Sequence, residues 1–178
     1  MPTTNTHGPP AVGAYSPDGS VSARLAMGEG LTLDYHPAGL DHSDAGLERQ
    51  LQHVLEVLLA NATAAMRPPA LLGDDVDSRI AAARGERASE LLEDFDATEG
   101  SPDGAIRIRL RGDGSVAVDV AYGAVGELGG DRVVGEAAQI VRRLFAAQAA
   151  KFDEVHDEVV NRLLRSELEE RVNGRDRH

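Results

Sequence analysis

A stretch of twenty residues, SPDGAIRIRLRGDGSVAVDV at 101–120, decides the fold of this 178-residue chain. Apolar and polar residues alternate on both sides of its glycine-rich centre, which is the pattern of two half-buried β-strands joined by a turn. Residues that face each other on antiparallel strands lie on the same side of the sheet. A three-residue Gly-Asp-Gly loop satisfies this rule, because it pairs Ile106 with Val120 and Arg107 with Asp119. The stretch therefore predicts a β-hairpin with one apolar face.

A second copy of this pattern, SPDGSVSARLAMGEGLTLDY, lies 85 residues earlier at 16–35. Placed in register, the two stretches share SPDG and three further identities, and their apolar positions coincide. The same loop rule pairs Val21 with Tyr35 and Leu25 with Leu31 in the first copy. The sequence therefore predicts an internal repeat in which each SPDG is the turn that begins a hairpin.

An amphipathic helix is predicted after each hairpin. Residues 47–66 and 133–152 align when one residue is inserted in the connecting loop, and both carry apolar residues at i, i+3, i+4 and i+7. Asp44 and Asp131 are the predicted N-caps. The second helix is expected to continue to residue 172, where the following Asn-Gly pair favours its end.

The predicted fold class is α+β, with two hairpin-plus-helix units of unequal size. Only the second unit is preceded by a predicted helix, at 75–96, and only the second extends into a long C-terminal helix. The acidic run within 90–99 is interpreted as the solvated end of that preceding helix. The expected boundaries are a disordered tail at 1–11, a first half-repeat at 12–66, a linker at 67–74, a second repeat at 75–172 and a tail at 173–178.

The composition restricts the classes of function. The formal net charge is −12, aromatic residues make up 3% of the chain, and cysteine is absent. The missing cysteines exclude disulfides and thiolate metal sites, and the few aromatics disfavour a base-stacking platform. No apolar run has the length of a membrane span, and the first residues lack the pattern of a signal peptide. We therefore expect a cytoplasmic protein without a membrane partner.

No sequence pattern indicates catalysis. The six histidines form neither an H-x-x-x-H nor an HExxH pair. The glycine-rich GELGGD segment lacks the context of a P-loop, and GSPDG lacks the spacing of a nucleophile elbow. We therefore expect a protein that is not an enzyme and has no metal, cofactor or small-molecule substrate.

The second unit resembles the YbaB/EbfC family of small bacterial nucleoid-associated proteins. Actinobacterial members often carry a glycine-bounded stretch of the form S-x-D-G-x-V-x-V-x-V-x-G-x-G-x-V. The matching residues, which Gly100 directly precedes, are Ser101, Asp103, Gly104, Ile106, Ile108, Leu110, Gly112, Gly114 and Val116. The resemblance covers the second unit at about 75–172 but only the hairpin and helix of the first, where Gly30 is displaced by one position. It implies an α+β unit that dimerises through its sheet and binds DNA without strong sequence preference.

Three arginines are the candidate DNA-binding residues of the second hairpin. Arg107, Arg109 and Arg111 alternate along one strand, opposite the apolar face, and Arg24 occupies the matching position of the first copy. Guanidinium groups on one face suit phosphate contacts, which position a protein without reading sequence. The alternative is an ordinary solvated strand face in which Asp119 neutralises Arg107.

The second functional hypothesis is an acidic adaptor or chaperone that binds protein. The resemblance allows it, since some relatives with this fold are associated with type VII secretion loci. The long helix would be the docking arm, or would meet a second copy or the preceding helix, through Val155, Val159, Leu163 and Leu164. We expect a homo-oligomer or an intrachain pseudo-dimer. The charge of −12 favours the protein-binding hypothesis, whereas the resemblance favours DNA, which we place first.

Overall fold

The computed structural model describes residues 11–26, 30–37, 42–66 and 94–175, and of residues 66, 152 and 155–175 it describes the backbone alone. The described part is an α+β fold with two three-stranded antiparallel sheets, whose strand orders are β1-β2-β3 and β4-β5-β6. The first sheet contains β1 (Ala11–Tyr15), β2 (Val21–Ala26) and β3 (Gly30–Tyr35). The second contains β4 (Asp96–Gly100), β5 (Ile106–Arg111) and β6 (Val116–Val120).

Three helices are described. Helix α1 spans Asp44–Met66, the short α2 spans Ala124–Leu128, and α3 spans Gly130–Arg175. Within the described residues, no helix is long and apolar enough to cross a membrane. The predicted linker at 67–74 and most of the predicted helix at 75–96 lie outside the described residues.

The predicted hairpin registers are confirmed. In the second sheet Ile106 pairs with Val120 and Arg107 with Asp119. In the first sheet the pairs include Val21 with Tyr35, and also Leu25 with Leu31. Gly114 has a φ of 82°, the left-handed conformation that the three-residue loop requires.

Each SPDG turn joins two strands, because a strand that the sequence analysis missed precedes it. In the first turn Ser16 Oγ donates to Asp18 Oδ1 at 2.8 Å and accepts from the Val21 N–H at 2.9 Å. In the second turn Ser101 Oγ makes the same two bonds, to Asp103 at 2.7 Å and from Ile106 at 3.1 Å. The two turns therefore share one hydrogen-bonding pattern.

Two predicted boundaries are wrong at these missed strands. Ala11, expected in the disordered tail, is the first residue of β1, and Asp96, expected at the end of a helix, is the first residue of β4. Residues 96–99 of the acidic run therefore form a strand and not a solvated helix end. Neither strand has the alternation of large apolar residues that predicts one, and each is extended because it pairs with its neighbour.

Each long helix covers two strands of its own sheet and the third strand of the other. Helix α1 packs on β1 and β2 and reaches β6, whereas α3 packs on β4 and β5 and reaches β3. The buried side chains form one continuous cluster, in which Leu58 of α1 and Leu144 of α3 are almost fully buried. The two halves of the chain therefore share one hydrophobic core.

The predicted helix caps are also corrected. Ser43 caps α1, since its Oγ accepts the Gly46 N–H at 3.1 Å, while Asp44 lies inside the helix. Asp131 likewise lies in the first turn of α3, one residue after its start. The Asn173–Gly174 pair does not end α3, which continues to Arg175.

Asp44 bonds across the two halves instead of capping its own helix. Its carboxylate accepts the backbone N–H groups of Gly123 at 2.8 Å and Val125 at 2.9 Å. The bond from Val125, followed by that from Gly123, holds the pKa of Asp44 below its ordinary value. One turn further along α1, Glu48 accepts the Val120 N–H at 3.0 Å. The start of α1 is thereby fixed to the end of β6.

The start of α3 is fixed to the end of β3 by packing. A Cβ atom on Gly130 would lie 2.5 Å from Cε1 of Tyr35, well inside van der Waals contact. Tyr35 is half-buried against the core, and its ring also contacts His42 with a centroid separation of 5.8 Å. Glycine at 130 is thus what permits the helix to begin so close to the tyrosine ring.

Candidate functional site

The three arginines lie on β5 with the orientation that the sequence predicts. Ile106, Ile108 and Leu110 point into the core and are buried, while the alternate residues point outward. Arg107 and Arg111 are exposed, and Arg109 is partly buried. The outer face of the second sheet therefore carries a row of guanidinium groups.

Arg109 is held by an aspartate from the strand that the sequence analysis missed. Its Nε donates to Asp96 Oδ1 at 2.6 Å, and its Nη2 makes a second bond to Asp96 Oδ2. The hydrogen bond from Arg109 lowers the pKa of Asp96, and the same bond raises the pKa of Arg109. The bidentate pair uses two of the five guanidinium N–H donors, and the Asp96 carboxylate offsets the charge that would attract a phosphate.

The other two arginines also have acidic neighbours. Asp119 lies opposite Arg107 in the β5–β6 register. Asp113, in the adjoining loop, has a pKa lowered first by its bonds from Ser115, with a smaller contribution from the charge of Arg111. On this face three arginines are therefore matched by three aspartates, at 96, 113 and 119, and the local net charge is close to zero.

The first sheet does not repeat the arginine row. Arg24 is exposed on the outer face of β2, between Gly13 of β1 and Thr32 of β3 in the register. The positions on either side of it along that face are Ser22 and Ala26. Among the described residues of the three strands, Arg24 is therefore the one arginine or lysine, and it is separate from the row on β5.

Two arginines of α3 hold strand edges, which the sequence analysis did not foresee. Arg142 donates from Nε to the Leu31 carbonyl of β3 at 2.9 Å. Arg143 donates from Nε to Glu99 at 3.1 Å and from Nη2 to the Gly100 carbonyl at 3.2 Å. A pattern of alternating charge on a helix predicts a solvated surface, and only the position of the opposing strands reveals these contacts.

Helix α3 continues far beyond its contacts with the sheets. Leu144 is buried and Phe145 is half-buried, but the side chains described at 149–151, 153 and 154 are all exposed. With 46 residues the helix is about 70 Å long at ~1.5 Å per residue. The candidate interface residues lie in this distal half, where the backbone is helical and the side chains are outside the described set: Val155, Val159, Leu163 and Leu164.

The described part of the chain contains an apolar crevice between α1, α3 and the second sheet. Its lining consists of aliphatic and aromatic side chains, including Leu55, Ile108 and Phe145. Across the described residues, no three or more His, Asp or Glu side chains lie close enough to hold a metal ion.

Comparison of the chain with protein-family models, with curated proteins and with solved structures gives no match. The resemblance to the YbaB/EbfC family therefore depends on the motif residues of the second hairpin alone, and it stays a prediction.

Proposed function

We propose that this chain is a non-catalytic, protein-binding adaptor built as an intrachain pseudo-dimer of two YbaB-like units. The shared hydrogen bonds of the two SPDG turns and the matching hairpin registers support a duplicated unit. The exchange of helices between the two sheets supports a pseudo-dimer, since the long helix of each unit packs on the third strand of the other: α1 on β6, and α3 on β3.

The observation that carries the proposal is the distal half of α3. About 27 residues of regular helix follow the last half-buried side chain, Gln148. Helices rarely remain regular over such a length without a partner for an apolar face. The sequence places Val155, Val159 and Leu163 at a spacing of four residues, and this spacing is typical of a helix that docks against another protein.

A matched pair of variants tests the docking arm. Val159→Asp places a charge on the predicted docking face, whereas Asn161→Asp adds the same charge about 200° around the helix at 3.6 residues per turn. The full chain and both variants are used as bait with lysate proteins, and the captured proteins are compared. A partner retained by Asn161→Asp and lost by Val159→Asp supports the proposal. Equal capture by all three contradicts it.

DNA binding is the second candidate function, favoured by the exposure of Arg107 and Arg111. The aspartates that balance the arginine row argue against it, because non-specific binding depends on a net positive surface. Fluorescence anisotropy of a labelled random duplex, titrated with the full chain at low and near-physiological salt, decides between the candidates.

Salt-sensitive binding that is lost equally for every duplex when Arg107, Arg109 and Arg111 are replaced by Ala would support the DNA function and displace the adaptor proposal. Absence of binding at low salt would exclude DNA as the ligand. Binding that the triple variant leaves unchanged would exclude this face as the site.

A further inference from the structure

The edge strands of the two sheets differ in charge. Each of the four makes a backbone hydrogen bond with a helix side chain on its outer side: Gly13 of β1 with Asn61, Leu31 of β3 with Arg142, Gly100 of β4 with Arg143, and Val120 of β6 with Glu48. Strands β3, β4 and β6 also contain at least one acidic residue each. Strand β1, AVGAY, contains no charged residue, and its helix contact is the neutral amide of Asn61.

An uncharged edge strand can pair with another strand. The N–H and C=O groups of Ala11, Gly13 and Tyr15 point away from β2, because the bond from the Ser16 N–H to the Val21 carbonyl (2.8 Å) sets the alternation along β1. Within the described residues, the Asn61 amide is the one group that bonds to this outer side. Natural proteins usually protect such edges with charges.

The helix surface beside β1 is uncharged as well. Residues 57–66 of α1 contain no Asp, Glu, Lys or Arg, although these make up 27% of the chain. The bond from Asn61 Nδ2 to the Gly13 carbonyl, at 3.0 Å, places this part of the helix next to the edge. Ala64 and Ala65, which follow Asn61 by three and four residues, are exposed. The strand edge and this half of α1 thus form one surface that carries no charged residue of its own, with Arg24 of β2 beside Gly13 on the outer face.

We propose that this surface joins two copies of the chain into a symmetric dimer through antiparallel pairing of β1 with β1. A chain of net charge −12 repels a second copy over most of its surface. The two copies can approach with the least repulsion where both are uncharged, and among the four described edge strands only β1 satisfies this condition. The pairing produces a continuous six-stranded sheet with the order β3-β2-β1-β1-β2-β3.

The outward groups of β1 set the register of the pair. Because residues 11, 13 and 15 point outward, a two-fold axis passes beside Gly13, which lies opposite Gly13 of the second copy. Tyr15 then lies opposite Ala11 of the second copy, on the outer face where its side chain is 74% exposed. The Asn61 amide exchanges its bond to Gly13 for one to solvent. The two strands alone bury little area, and the uncharged half of α1 enlarges the interface.

The charges on β4 explain why this association ends at two copies. The chain has two similar sheets, and if both edges could pair, β1 of one copy would bind β4 of the next and the assembly would be open-ended. Asp96 and Glu99 on β4, together with the Arg143 contact, disfavour that pairing.

A matched pair of variants tests the proposal by sedimentation equilibrium of the full chain. Gly13→Glu places two like charges opposite each other across the axis, and its Cβ meets only the Ala23 carbonyl at an ordinary contact distance of 3.4 Å. Thr98→Glu adds the same charge at the corresponding position of β4. We expect the wild type and Thr98→Glu to dimerise, and Gly13→Glu to dimerise at least about tenfold more weakly. A monomeric wild type, or equal dimerisation of all three, overturns the proposal.

A charge-pair variant tests the register independently. Tyr15→Glu should weaken the dimer, and adding Ala11→Lys should restore it, because each introduced lysine then lies opposite the introduced glutamate of the other copy, twice in the interface. The two positions are not neighbours within one chain, so the restoration cannot come from folding. Hydrogen exchange of the wild type should show slower exchange at Gly13 and Tyr15 as concentration rises. No restoration and no concentration dependence would contradict the register.

Discussion

The two sheets have the same turns and the same strand order, but their outer faces differ. Both SPDG turns use a serine hydroxyl and an aspartate in the same bonds, and the last glycine of each has positive φ, 73° at Gly19 and 75° at Gly104. The outer face of the second sheet carries three arginines and their aspartates, whereas Arg24 is the one arginine or lysine in the described strands of the first. The difference shows that backbone geometry and core packing constrain the inner positions, while the solvated positions are free to acquire separate roles.

The largest expected effect tests whether the two halves are one folding unit. Leu58 of α1 and Leu144 of α3 are at most 1% exposed. Replacing either by Ala should lower the free energy of unfolding by about 2–5 kcal/mol. Because the core is shared, each variant should retain a single cooperative transition in urea, followed by circular dichroism. Two separate transitions, or loss of hydrogen-exchange protection in one half alone, would show that the two halves unfold as separate units.

A smaller effect tests the equivalence of the two turns. Ser16→Ala and Ser101→Ala each remove a hydroxyl that bonds a buried backbone N–H. Each should cost about 1–3 kcal/mol, and the two values should agree. Asp18→Asn should cost more than Asp103→Asn, because Asp18 also accepts the Ser20 hydroxyl at 2.7 Å, where the second turn has Ala105. Urea unfolding measures all four variants, and a large serine difference would show that the turns are not equivalent.

The acid dependence of stability tests the bonds that fix the start of α1 to the other half of the chain. The pKa of Asp44 is lowered in the folded chain by the N–H groups of Val125 and Gly123. A carboxylate with a lowered pKa stabilises the fold above its unfolded pKa of about 3.9, and this contribution is lost as pH falls through the folded value.

Asp44→Asn should therefore flatten the loss of stability below about pH 4. Urea midpoints of the wild type and of Asp44→Asn, measured from about pH 6 to about pH 2.5, span the range in which the Asp44 carboxylate titrates. Equal slopes for the variant and the wild type would contradict the cross-half role of Asp44.

The smallest effect on stability is expected at the arginine row. The Arg109–Asp96 pair is more than 40% exposed on both sides, so Asp96→Asn should change the free energy of unfolding less than either serine variant of the turns does. The same change releases the guanidinium. In the anisotropy titration it should increase DNA affinity more than Asp94→Asn does. No difference between the two variants would show that the row is only a solvated face.

The sequence predicted the hairpins well because alternating apolar residues and turn glycines act over short distances. Strands β1 and β4 were not predicted because pairing with β2 and β5, and not the pattern of their own side chains, makes them extended. The site was predicted less well for the same reason. Arg109 could not be assigned to Asp96 without β4, and the bond from Arg142 to Leu31 joins residues 111 positions apart. The arginine row and the position of Asp119 opposite Arg107 were visible in the sequence, but the bond from Arg109 to Asp96 was not.

The exchange of helices between the sheets has a consequence during synthesis on the ribosome. Strand β3 is covered by α3, and Arg142 is translated 111 residues after the Leu31 carbonyl that it binds. At a translation rate of ~5–20 residues per second, the apolar side of β3 stays exposed for roughly 6–22 seconds before the part of α3 that packs on it has been synthesised. The first half therefore emerges as an incomplete domain, and nascent chains that stall before residue 145 should be substrates for chaperones that hold exposed apolar strands.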